Sequence, residues 1–349
     1  MKLFLKTAVI AFAAGWLFYE VGMFLPWLLG PMFVLLLLNQ FTKTELYWPK
    51  ILRTAGLVLL GVQIGSSFTR DTVALMWLDL PYMAFMTFAI VGLSLGLGLL
   101  FQRMANESLA TSLLGSIPGG LSQMVVIAEE VESANVTVVT MMQTVRIFMV
   151  ISIVPFLAVF LAGREAGELV PDTFVFSWQP FIGAIGVGLL IFWIMKKVRF
   201  PAAEVLAPIF TMALVQSFTG NHLVELPNWL VALAQVFIGA NLGLQMEQIR
   251  EKMNVRMGMA IIVNNVLLIG FSVLIAYLLA VLLPEYIFLD FFLSAAPGGM
   301  AEMAITALAS GGDVALITSF HLFRLFFILL LASPIIAFVV KKLDAKTKH

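Results

Sequence analysis

An all-α polytopic membrane protein, built from two homologous and inverted halves that each carry a broken helix, is the fold class this sequence predicts. Three observations lead there. Hydrophobic residues make up 61% of the 349 and charged residues only 11%. Twelve apolar segments are long and continuous enough for helices. A Pro-Gly-Gly tripeptide recurs at 118–120 and 297–299, inside the related stretches SIPGGLSQMVV and AAPGGMAEMAI.

The composition already excludes several classes. No soluble core hides so large an apolar fraction, so lipid is the main solvent of the side chains. Twenty basic residues balance twenty acidic ones, which leaves no basic surface for nucleic acid. Cysteine is absent, and the three histidines, His222, His321 and His349, are scattered. Thiolate chemistry is thereby excluded and a histidine-rich metal site is disfavoured, so no cofactor and no enzymatic reaction are expected.

The apolar segments run approximately over 3–19, 24–38, 51–68, 78–101, 107–128, 135–161, 174–195, 203–219, 228–246, 256–283, 286–309 and 314–340. The first follows a short basic start and reads as a retained span rather than a cleaved signal, because the internal repeat is incomplete without it. Barrel strands are shorter and alternate in polarity, so helices are the economical form in lipid. The polar stretch GREAGELVPD divides the chain near its middle. We therefore expect a first membrane repeat over 1–162, a link over 163–173, a second repeat over 174–340 and a basic tail over 341–349.

The halves also match residue by residue. Pro31 pairs with Pro208, GVQIG at 61–65 with GANLG at 239–243, and the two Pro-Gly-Gly tripeptides with each other. NVTVVTMMQTVRIF at 135–148 pairs with DVALITSFHLFRLF at 313–326, which sets Gln143 opposite His321 and Arg146 opposite Arg324. Four matches in the same order, at offsets of 177 to 179 residues, indicate duplication. If every segment crossed, Lys196, Lys197, Arg199, Arg250, Lys252 and Arg256 would face outward against the positive-inside tendency. One element near each tripeptide that fails to cross restores them to the cytoplasm, giving five net crossings per half, ten in all, inverted halves and cytoplasmic termini; parallel six-helix repeats are the alternative.

Proline removes an N–H and two glycines resist unwinding poorly, so each tripeptide kinks or interrupts its helix. An interruption at membrane depth exposes backbone groups that protein, water or a bound solute must satisfy. Inverted halves would bring two such breaks together near the midplane. The candidate binding residues are Pro118, Gly119, Gly120, Ser122 and Gln123 in the first half and Pro297, Gly298, Gly299 and Glu302 in the second. A carboxylate at Glu302 suits a coupling proton or Na⁺, unless it lies near water or pairs with a structural arginine. Arg146 and Arg324 each stand eleven residues beyond an expected helix cap, Asn135 and Asp313, roughly 16 Å along the helix. They would either neutralise an anionic solute or lock the fold internally. Gln143 and His321, three positions earlier, share their helical face. Gln63 and Asn241, each between glycines, would supply amides to a cavity or to helix contacts. Asn264 and Asn265 interrupt an apolar run, so at least one faces away from lipid. Glu129, Glu130 and Glu132 read as a solvated rim. The glycines of GLSLGLGLL at 92–100 suit close helix contact.

The paired GSIPGG…QM and SAAPGG…EM segments, with their following arginines, resemble the bacterial membrane AbrB family, sometimes labelled an ammonia monooxygenase, over nearly the whole chain. The family is distinct from the small DNA-binding regulator of the same name. It is distantly similar to the superfamily of cation/proton antiporters and bile-acid/sodium symporters. The resemblance implies broken crossing helices and transport, and members are also described as regulators of gene expression. It transfers no established site residue, and the monooxygenase label fits poorly with so few metal ligands. The expectation is a secondary transporter in the bacterial inner membrane, moving a small organic anion with H⁺ or Na⁺ by alternating access. The alternative is a ligand-sensing regulator that moves nothing. Partners would be that solute and membrane lipids, and the glycine-rich faces would also suit a homodimer.

Overall fold

Every regular element among the described residues is a helix. The computed structural model describes residues 2–42, 44–119, 121–162, 178–198, 200–219, 225–245 and 253–347. The expected link over 163–173, Gly120, the side chain of Ser122, His222, Arg199, Arg250, Lys252 and the last two tail residues lie outside that set. In chain order the helices are α1 (Lys2–Glu20), α2 (Pro26–Phe41), α3 (Lys50–Ser66), α4 (Arg70–Ala105), α5 (Leu109–Ser116), α6 (Leu121–Glu129), α7 (Val136–Ala162) and α8 (Trp178–Lys197). They continue with α9 (Ala203–Thr219), α10 (Asn228–Gln245), α11 (Val255–Leu282), α12 (Phe288–Ala295), α13 (Met300–Ser310) and α14 (Val314–Phe327). A π turn over Ile328–Ala332 joins α14 to α15 (Ser333–Thr347).

Five of these stretches are long and apolar enough to cross a membrane: Lys2–Glu20, Thr72–Ala105, Val136–Leu161, Val255–Leu282 and Val314–Lys342. Shorter apolar helices accompany them, including Pro26–Phe41, Ala203–Ser217 and Met300–Ser310. Their outward side chains are apolar, with Leu5, Trp77, Leu78, Phe160, Leu189 and Leu331 all exposed, as hydrocarbon rather than water as solvent demands. The apolar runs expected over 107–128 and 286–309 are each two helices. Proline and glycine end α5 and α12 after eight residues, about 12 Å, too short to span.

Two compact units are present, and neither coincides with a sequence half. The first comprises 1–78, 163–247 and 304–316; the second comprises 79–162, 248–303 and 317–349. In the first unit, α3 packs on α9 and α10 packs on α2, so each sequence half contributes one helix to the other's contact. Glycine makes the approach close enough: a Cβ on Gly61 would lie 2.6 Å from Val205 O, and one on Gly243 would lie 2.5 Å from Met32 O. The same unit draws α1 onto α2 through Gly15 and Gly30.

In the second unit, α7 is the central strut and packs against α5, α6, α11 and α12. Its core includes Leu114, Ile117, Met124, Val139, Ile328 and Ala332. Both asparagines of α11 are buried, and Asn264 Nδ2 donates to Leu97 O at 3.1 Å. Among the glycines of 92–100 only Gly98 makes a close approach, to Ser112 O; Gly92 and Gly96 face open space. The expected caps form, with Asn135 Oδ1 accepting from Val138 N in this unit and Asp313 Oδ1 accepting from Leu316 N at 2.9 Å in the first. The side chains of Glu129, Glu130 and Glu132 are exposed, and Lys341 pairs with Glu130 at 2.7 Å.

Candidate functional site

The first break begins where α5 runs out of turns. Ser108 caps its start by accepting from Thr111 N, but its last carbonyls have no helical partner. Ile117 leaves the helix with φ −66° and ψ 125°, and Gly119 takes φ +108°, a left-handed conformation that glycine alone adopts cheaply. Side chains from α7 supply the missing donors. The two N–H groups of Gln143 Nε2 are shared among Leu114 O at 3.0 Å, Ile117 O at 3.1 Å and Gly115 O at 3.3 Å. Arg146 donates from Nη1 to Ile117 O at 2.7 Å and from Nη2 to Gln143 Oε1.

The second break repeats this with a different residue pair. His321 Nε2 lies 2.9 Å from Leu293 O near the end of α12. Arg324 donates from Nη1 to Ala296 O at 2.9 Å, and from Nη2 to Gly298 O at 3.1 Å and His321 Nδ1 at 2.7 Å. The partners fix the imidazole. A guanidinium only donates, so Nδ1 must accept; a carbonyl only accepts, so Nε2 must carry the proton. His321 is therefore a neutral ring that accepts from its arginine and donates to a helix-end carbonyl. Gln143 does the same with its two amide atoms, which explains how glutamine and histidine can hold matching positions.

Arg146 and Arg324 are 3% and 5% exposed. Burying such a charge in a lipid-grade helix costs at least a few kcal/mol. The negative ends of α5 and α12, with their unpaired carbonyls, offset part of that cost. One turn beyond each arginine the helices meet the opposite break. A Cβ on Gly298 would lie 2.9 Å from Val150 Cγ1, and a Cβ on Gly119 would lie 3.3 Å from Ile328 Cδ1.

The two arrangements differ in one respect. At the first break the Ile117 carbonyl has two neighbouring donors, Arg146 Nη1 and Gln143 Nε2, whose two N–H groups are shared among three carbonyls, and Arg146 Nε is buried with no partner. At the second, His321 serves only Leu293, so Ala296 and Gly298 depend on Arg324.

The remaining sequence-predicted residues divide between the units. Pro118 and Pro297 are buried in the breaks, while Gln123 on α6 and Glu302 on α13 are half-buried. Glu302 is the third residue of α13, and its Oε2 folds back over Gly299 at the helix start, where a carboxylate meets the positive end of the helix dipole. Gln63 and Asn241 belong to the other unit. Gln63 Oε1 accepts from Leu226 N at 2.9 Å, whereas Asn241 Nδ2 is buried without a partner. Among the described residues no three histidines or acids gather in a metal-ligating group. Sequence reasoning missed Ile117 and Ala296, whose carbonyls act without any side-chain signal. It also missed Val150 and Ile328, detectable only as the residues four beyond each arginine.

The fold and site thus define an all-α polytopic membrane protein with two interrupted helices, each braced at its carbonyl end by a buried arginine. The chain belongs to the AbrB family, described as "Transition state regulatory protein AbrB", which it matches over residues 27–340. Over 362 aligned residues it is 25% identical to the Bacillus subtilis (strain 168) "Uncharacterized protein YhjN", covering 93% of this chain and 90% of that one. Over 324 aligned residues it is 28% identical to the Escherichia coli (strain K12) "Putative regulator AbrB", covering 89% of each.

Proposed function

We propose that this protein is a secondary active transporter of a small organic anion, coupled to H⁺ or Na⁺ and working by alternating access in the bacterial inner membrane. The carrying observation is the unpaired guanidinium at the first break. Gln143 shares the α5 carbonyls with Arg146, yet Arg146 brings a full positive charge with no acidic partner among the described residues and an Nε–H buried without an acceptor. An unpaired buried charge is expensive to keep, and a carboxylate arriving at the breaks would match it. Arg146 is thus the arginine that meets the anion, while Arg324 holds the second break together. Glu302, over the start of α13, stands where a coupling cation would be neutralised.

The halves read as inverted repeats with ten net crossings and cytoplasmic termini. The reciprocal contacts of Val150 with Gly298 and Ile328 with Gly119 support this reading, as does the exchange of α3 and α10 between halves. No chemical step is part of the proposal. A second reading, a membrane sensor that binds the solute without moving it, is favoured by the word "regulator" in the name of the Escherichia coli relative. Reconstituted protein separates the two. The carrier accumulates radiolabelled organic anions under an imposed H⁺ or Na⁺ gradient and loses that uptake in Arg146→Gln. Solute binding with no flux across a broad anion panel rejects the carrier in favour of the sensor.

A further inference from the structure

The long helices α4 and α11 are tied to each other's ends in the second unit, and the two ties carry opposite charges. At the start of α11, Arg256 donates from Nε to Met104 O at 2.6 Å and from Nη2 to Arg103 O at 3.4 Å. A cation on the last carbonyls of α4 is the favourable arrangement for a helix C-terminus. Near the start of α4, Asp79 accepts a hydrogen bond from the Tyr286 hydroxyl. Tyr286 lies in the loop just after α11, its N–H closing on Leu283 O at 3.1 Å. At the 177-residue offset that relates Pro31 to Pro208, Asp79 falls on Arg256. One tie is a guanidinium on helix-end carbonyls, and the other is a carboxylate on a tyrosine hydroxyl.

Asp79 is only 3% exposed within the apolar stretch Thr72–Ala105. A carboxylate offers about four acceptor positions, and Tyr286 fills one. The ionisable groups felt by the Tyr286 hydroxyl besides Asp79 are Tyr82 on α4 and the exposed Glu285 on the loop. None of these is basic, and no lysine, arginine or histidine among the described residues pairs with Asp79. Burial and the bond to Asp79 push the Tyr286 phenol above its ordinary range, so it remains a donor and cannot supply the missing positive charge.

We propose that Asp79, with the Tyr286 hydroxyl, is a binding site for a monovalent cation, a proton or Na⁺. One carboxylate balances one charge, and no three-residue acidic cluster is present among the described residues to hold a divalent ion. The binding claim is independent of transport; use of the site for coupling rests on the carrier reading above.

Full-length protein in lipid nanodiscs, with no solute added, tests the site in two arms. Acidification followed by infrared difference spectroscopy shows a protonated-carboxyl band that is absent in Asp79→Asn if the cation is a proton. Replacing choline with Na⁺ at constant ionic strength raises the unfolding temperature, and Asp79→Asn abolishes the rise, if the cation is Na⁺. Tyr286→Phe keeps the carboxylate and shifts the half-saturating concentration about tenfold, the effect of losing one hydrogen bond. Responses identical in wild type, Asp79→Asn and Tyr286→Phe overturn the proposal. If Asp79→Asn does not fold, an unshifted Tyr286→Phe overturns it. A cation response without any solute flux rejects only the carrier reading, whereas gradient-driven flux with no response at Asp79 rejects only this site.

Discussion

Replacing Arg324 by Gln should destabilise the protein more than the same change at Arg146. In Arg324→Gln the carbonyls of Ala296 and Gly298 lose their donors and His321 Nδ1 loses its own. A glutamine is too short to serve all three. Each buried acceptor left unsatisfied costs roughly 1–3 kcal/mol. Removing a buried charge returns part of that, leaving a net loss of about 3 kcal/mol. For a unit of this size that corresponds to a fall in unfolding temperature of roughly 5–10 °C. In Arg146→Gln, Gln143 Oε1 loses its donor, while Ile117 O keeps a contact with Gln143 Nε2 and the unpartnered Nε–H disappears, so one acceptor rather than three is orphaned and the net loss is about 1 kcal/mol. Tryptophan fluorescence during heating of detergent-purified variants reads both. Equal losses in the two variants, or an unaltered Arg324→Gln, would refute the distinction between an arginine that serves its break alone and one that shares it with a glutamine.

Exchanging the acceptor–donor residues should be tolerated: His321→Gln and Gln143→His each keep stability within about 1 kcal/mol, while His321→Leu orphans Leu293 O and costs about 2 kcal/mol, measured by the same unfolding assay. Gly61→Val should prevent the α3–α9 approach, since any side chain there meets Val205 O and Pro208; loss of folded, monodisperse protein on size exclusion checks it. Burial raises the carboxyl of Glu107, in the loop between α4 and α5, above its ordinary range. The folded chain then holds that proton more tightly than the unfolded one, so stability falls as pH rises from the unfolded carboxylate value through the raised one. Glu107→Gln should remove that slope from a plot of unfolding temperature against pH.

What could be read from the sequence was local. Asn135 and Asp313 announce their caps because a short polar side chain before an apolar run has little else to do. The breaks follow from proline and glycine, and the pairing of Gln143 with Arg146 and of His321 with Arg324 follows from a spacing of three on a helix. The partners of the arginines were not legible, because backbone carbonyls carry no residue code. Nor was the division into units: α3 and α10 each pack on a helix from the other half, and nothing in a repeat states whether its copies pack within or across. Asp79 left only an acid among Trp77, Leu78 and Leu80, and its burial and its Tyr286 partner come from packing that the sequence does not spell out. The π turn before Ser333 left less, since Pro334 alone does not distinguish a kink from a π turn.

Everything functional depends on the two breaks lying against each other's arginine-bearing helices. The chain contains no cysteine, so the pair Val150→Cys with Gly298→Cys can be introduced without background and oxidised in native membranes. Val150 stands against Gly298, and rapid, near-complete intramolecular disulfide formation is the expected result. Failure of this pair to cross-link in folded protein would mean that the second break does not pack on the helix that bears Arg146, which contradicts the account.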